Sequence, residues 1–140
     1  MAVTSGLAGD RHAGLLLLAL SRPNEALQRA RAVLAGDPSP LGASVARQAI
    51  GIVLREYGDI EAAIGELRIA RRLARRAGSA DREADVLGTL GVALVFAGRT
   101  VSGRNALDAA VQRSTGHLHG RMLFRRGAWE AQPYAEHPRG

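Results

Sequence analysis

Along most of the chain, apolar residues return at intervals of three and four, and short breaks holding glycine or proline cut the pattern into segments. That period gathers the apolar side chains on one face of an α-helix, whereas strict alternation would mark a strand. It predicts helices near residues 10–20, 24–35, 41–56, 60–77, 81–97, 101–114 and 119–130. The breaks carry their own chemistry. Tyr57-Gly58-Asp59 supplies a glycine to stop one helix and an aspartate to cap the next, and Ala97-Gly98-Arg99 supplies the same glycine stop. Asp37-Pro38-Ser39-Pro40 ends the second helix, because proline cannot continue it and restricts the residue before it. Asp81, Glu83 and Asp85 bring negative charge to the start of the fifth helix, where the macrodipole favours it.

The pattern also repeats. Ile50, Gly51, Leu54, Gly58, Ala63, Leu67 and Ala70 recur as Leu90, Gly91, Leu94, Gly98, Gly103, Leu107 and Ala110, every member displaced by the same interval. A looser copy lies upstream in Ala13, Gly14, Leu17, Ser21, Ala26 and Ala30, at a slightly shorter displacement. Each copy reads as a pair of helices joined at a break. The small residues at paired positions, Gly51 with Ala63 and Gly91 with Gly103, allow the two helices to approach, and Leu54, Leu67, Leu94 and Leu107 fill the space beside them. A helix pair of this size cannot bury its apolar face alone, so stacking of neighbours is expected.

Leu-Gly-x-x-Leu, a glycine turn, then Ala-x-x-x-Leu-x-x-Ala resembles the tetratricopeptide repeat over roughly residues 10–130. The likeness is to longer variants of that family. The family's first-helix tryptophan position holds Asp10, Arg47 and Leu87, its tyrosine position holds Leu17, Leu54 and Leu94, and only Pro38 matches the closing proline. Around Val33 to Leu54 the chain also resembles the N-terminal repeat region of actinobacterial proteins that carry a CHAT-type peptidase-like domain. The resemblance implies an all-α, right-handed superhelical array of antiparallel helix pairs, an α-solenoid of about three units plus a truncated fourth. One repeat domain is expected over 1–130, and 131–140, which holds Pro133 and Pro138 and little apolar periodicity, is expected to be a disordered tail.

Composition agrees with helices. Apolar residues make up 46% and aromatics 4%, so the interior must be built of Ala, Leu, Val and Ile, which suit closely packed helices. All 19 basic residues are arginine, against 13 acids, for a formal charge of +6. The absence of cysteine excludes disulfides, thiolate metal sites and a cysteine nucleophile, and permits a reducing cytoplasm, which is the expected location. The apolar run from Ala13 to Leu20 is shorter than a membrane span and follows Asp10, Arg11 and His12, which reads as a buried first helix rather than a signal peptide.

In tetratricopeptide arrays the first helix of each unit lines the partner groove. By that resemblance the partner-binding residues are Arg11, Leu15 and Leu18, then Gln48, Ile52, Arg55 and Glu56, then Gly88, Val92, Val95 and Phe96. Such a groove is apolar with a few charged edges and suits a helical or extended peptide. The alternative for Ile52, Val92 and Phe96 is plain core beneath neighbouring units.

No catalytic, metal or cofactor site is expected. His117 and His119 lack a third ligand at a suitable spacing, Glu83 and Asp85 are explained by the helix start, and the glycines fall at breaks and crossings rather than in a phosphate loop. Arg68, Arg71, Arg72, Arg75 and Arg76 gather five positive charges on one short stretch, with Arg68, Arg72, Arg75 and Arg76 on one face. This supports a second reading, arginine-driven binding of nucleic acid or another polyanion as part of a regulatory protein, although no aromatic residue interleaves for base stacking. The bland reading is a solvated helix face. A fourth unit starts near Gly127, with Phe124 and Trp129 beside it, and stops after one helix, so self-association through that end is also expected.

Overall fold

A computed structural model of the chain describes His12 and residues 14–114. Arg11, the histidines at 117 and 119, the helix expected over 119–130 and the tail over 131–140 lie outside those residues. Among the described residues every regular element is an α-helix: α1 (14–21), α2 (Pro23–Ala35), α3 (Pro40–Glu56), α4 (Ile60–Arg76), α5 (Ala80–Phe96) and α6 (Thr100–Arg113). The chain divides into two compact units, Met1–Ser79 and Ala80–Gly140.

Four helices start at even intervals, at Pro40, Ile60, Ala80 and Thr100. Three left-handed glycines set that interval: Gly58 at φ 86°, Gly78 at φ 69° and Gly98 at φ 83°. An L side chain is strained in that conformation, so glycine is the residue that can close each helix there. The chain then turns back onto the carbonyls it has just passed. The Asp59 N–H donates to the Leu54 carbonyl at 2.9 Å, Ser79 to Ala74 at 3.2 Å and Arg99 to Leu94 at 2.8 Å. Gly58 and Gly98 fulfil the expectation from sequence, and Gly78 adds a third stop of the same geometry. The Asp59 side chain caps α4 by accepting from the Ala62 N–H at 3.3 Å, and Ser39 caps α3 by accepting from Gly42 at 3.2 Å. Of the three acids expected at the start of α5, Asp81 and Glu83 lie in its first turn. Asp85 lies beyond it.

In the first unit, α1, α2 and α3 share an apolar cluster that includes Leu15, Ala19, Ala26, Ala30, Ala49, Ile52 and Val53. α4 packs on α3 through Ala63, Ile64, Leu67, Ala70 and Ala74, all buried. Here Gly51 is required by contact: a Cβ on it would stand 2.7 Å from Leu67 Cγ and 3.3 Å from the Ala63 carbonyl oxygen. Ser44 adds a buried hydrogen bond, its hydroxyl donating to the Ala70 carbonyl at 2.8 Å.

In the second unit α5 packs on α6 by the same device. A Cβ on Gly91 would stand 2.7 Å from Leu107 Cγ and 3.0 Å from the Gly103 carbonyl oxygen. Gly103, where the first pair has Ala63, is tighter still, since a Cβ there would meet Val95 Cγ2 at 2.7 Å and the Gly91 carbonyl oxygen at 2.8 Å. The crossing of α3 with α4 and that of α5 with α6 are therefore equivalent at the displacement that carries Gly51 onto Gly91, as the sequence recurrence predicts.

α2 departs from the rule. The interval from its start at Pro23 to the start of α4 at Ile60 is shorter than that from α4 to α6 at Thr100. It also spans 13 residues, where α4 spans 17. Its connection to α3 runs through Gly36 and Asp37, and Asp37 itself takes φ 56°, a conformation aspartate tolerates better than most residues.

Candidate interaction surfaces

The residues singled out on α1 and α3 divide by burial. Leu15 and Ile52, each 6% exposed, belong to the shared apolar cluster, and Gln48 is 1% exposed. Leu18 is half-buried against the same cluster. At the C-terminal end of α3 the side chains emerge, and the Arg55 guanidinium lies 3.5 Å from the Glu56 carboxylate, with Glu56 the more open of the two. The structure thus brings Leu15, Ile52 and Leu18 together inside the first unit and leaves Glu56 at its surface with Arg55 half-buried beside it.

On α5 Gly88 is buried, Val92 and Val95 are half-buried, and Phe96 is 65% exposed. Val95 is committed to the helix crossing, because its Cγ2 occupies the space that a Cβ of Gly103 would need. Val92 and Phe96 lie four positions apart and face the same side. Among the described residues of the second unit, Phe96, with Val101 51% exposed just across the turn, is the most open apolar part.

A cleft of about 390 Å³ opens between α1 and α2, lined by His12, Leu15, Leu18, Arg29, Ala32 and Val33. Sequence reasoning reached Leu15 and Leu18 but missed the wall from α2. The signal was partial: of the small residues of α2, Ala32 lines the cleft beside Val33, while Ala26 and Ala30 are buried in the core. His12 closes one end, near enough to Gly42 that a Cβ there would meet its ring at 3.1 Å.

The charged residues sort into paired and unpaired sets. Arg29 and Glu25 meet at 2.8 Å on α2, Arg47 bridges to Glu66 of α4 at 3.0 Å, Arg82 meets Asp85 at 3.1 Å and Arg113 of α6 meets Glu83 at 3.4 Å. Glu83, in the first turn of α5 as expected, also pairs with Arg113, whereas Asp85 lies beyond that turn and is held by Arg82. On α4 the outward stripe runs through Glu61, Gly65, Arg68, Arg72, Arg75 and Arg76, all exposed. Arg68, Arg72 and Arg76 have no carboxylate partner among the described residues. Arg71, the fifth member of the run, is turned partly inward.

No protein-family model, curated protein or solved structure matches the chain.

Proposed function

We propose that the chain is a non-catalytic interaction scaffold of tetratricopeptide-like, superhelical architecture that holds a peptide or protein partner on the first helices of its units. The observation that carries this reading is the repeated crossing: Gly51 beneath Leu67 and Gly91 beneath Leu107, at one constant displacement, in helix pairs joined by the same glycine turn. Repetition of one supersecondary unit is the signature of proteins whose exposed first-helix residues vary while the crossing stays constant. In the first unit Glu56, with half-buried Arg55 beside it, and in the second unit Phe96 each stand at the C-terminal end of a first helix, groups of the kind that anchor a short apolar or amphipathic peptide. Among the described residues no helix is long and apolar enough to cross a membrane. A cytoplasmic location, without cofactor or metal, belongs to the same proposal.

The test is selection of peptides from a random library on the whole chain, followed by substitution. Peptides that bind through these positions lose affinity when Phe96→Ala or Glu56→Ala is introduced and keep it in Arg31→Ala, an exposed arginine of α2. Selected peptides indifferent to Phe96 and Glu56 alike would remove the proposal.

A further inference from the structure

The outward face of α4 contains two features that the fold leaves unexplained. The first is the row of Arg68, Arg72 and Arg76, which recur one helical turn at a time and therefore stand about 6 Å apart along the helix axis. Like charges at that spacing repel, and from Leu67 to Ala80 the chain supplies no acid to relieve them. Other arginines of the described helices, among them Arg29, Arg47, Arg82 and Arg113, sit beside carboxylates.

The second feature is Gly65, in the interior of the same helix and on the same stripe. Gly51, Gly91 and Gly103 are needed where helices cross, and Gly58, Gly78 and Gly98 are needed for left-handed turns. Gly65 meets neither need. A Cβ there would touch nothing within 4 Å, and the backbone is helical, where glycine is among the poorest residues. A glycine in that position exposes bare backbone to whatever approaches the stripe, and half-buried Ala62 and Ile69 border it on one side.

We infer that the outer stripe of α4 docks an acidic amphipathic helix of a protein partner, its backbone passing close over Gly65 and its carboxylates, one turn apart, meeting Arg68, Arg72 and Arg76. Spacing and charge match on both sides, because carboxylates at i, i+4 and i+8 of a helix repeat at the same interval. The aliphatic stems of the arginines, with Ala62 and Ile69, give the apolar part of the partner a surface to cover. The N-terminal end of the stripe distinguishes this partner from a nucleic acid. Glu61 lies on the same face and adds negative charge at the N-terminal end of the stripe, which disfavours a strand of uniform negative charge that extends along α4. The stripe also has no aromatic side chain for base stacking. This surface is separate from the first-helix residues of the proposed scaffold, and its test is independent of them.

The probe is a synthetic helical peptide of about 20 residues with Glu at i, i+4 and i+8, Leu on the adjoining face, and Lys two turns from the first Glu. Its isomer has the same composition with the Glu residues spread around the helix. With the full chain at low salt, fluorescence anisotropy should show the patterned peptide binding at least about tenfold more tightly than its isomer, or ~1.4 kcal/mol. Arg72→Glu should abolish the difference. Gly65→Leu should weaken the patterned peptide as well without lowering Tm, which separates a blocked surface from a damaged fold. The inference is overturned if the isomer binds equally, if either substitution leaves binding unchanged, if no binding is detected, or if a single-stranded oligonucleotide of similar length binds more tightly than the patterned peptide.

Discussion

Gly51 and Gly91 occupy helix interiors, where glycine costs about 0.5–1 kcal/mol relative to alanine. Each is retained because the neighbouring Leu67 or Leu107 fills the space a side chain would need. Gly65 carries the same intrinsic cost with no such neighbour. The same substitution therefore has opposite signs at the two kinds of site. Gly65→Ala should raise the urea midpoint by an amount equivalent to about 0.5–1 kcal/mol. Gly91→Ala should lower it, because a Cβ would press on both Leu107 and the Gly103 carbonyl, and backbone cannot retreat as a side-chain tip can. Gly91→Leu overpacks the crossing further and should cost about 1–3 kcal/mol or more. Arg72→Ala, on the exposed stripe, is the control whose midpoint should scarcely move. Similar midpoints for Gly65→Ala and Gly91→Ala would mean that the crossing is looser than these contacts require.

At the scale of the helix, boundaries follow from capping and turn chemistry, and this explains how much of them was legible. Gly58 and Gly98 were readable as stops because each closes a periodic apolar run, and Asp59 was readable as a cap because aspartate accepts from the free N–H groups of a first turn. Gly78 has the same role and falls in the break between the helices expected over 60–77 and 81–97. The ion pairs were not legible, since Arg47 of α3 reaches Glu66 of α4 and Arg113 of α6 reaches Glu83 of α5, contacts between the two helices of a pair that the spacing within one helix does not encode. The glycine turns make a direct prediction. Gly98→Ala forces a Cβ into the left-handed region at φ 83° and should destabilise by about 1–2 kcal/mol, whereas Gly36→Ala, at φ −89°, should cost less. Equal losses in thermal unfolding would show that the turn relaxes out of the left-handed region. Along α4, Arg72→Glu converts the repulsive pairs with Arg68 and Arg76 into attractive ones, each a change of roughly 0.4–1 kcal/mol at low salt. Its Tm should accordingly rise or hold even as the docking surface is lost.

Over the whole molecule, the recurrence of the Gly51 unit at Gly91 was legible because each small residue at a crossing is matched by a large one a fixed distance away. The turn at Gly78, after which the second compact unit begins, has the same local chemistry as those at Gly58 and Gly98. Net charge acts at this scale too. With 19 arginines against 13 acids the chain attracts any polyanion at low salt, so binding by itself identifies nothing. The salt slope does. A single-stranded nucleic acid held by Arg68, Arg72 and Arg76 displaces counterions from about three phosphates, and its log affinity should fall with log salt at a slope of about −2. Over a fourfold rise in salt that is a loss of roughly sixteenfold. A peptide held beside Phe96 and Val92 gains most of its affinity from buried apolar area, which salt screens little. Its dissociation constant should change by less than about threefold over the same interval. Titrations at several salt concentrations, in the wild-type chain and in Arg72→Glu, check both expectations. A steep slope for the selected peptides that vanishes in Arg72→Glu would place their binding on the arginine stripe and count against the first helices as the partner surface.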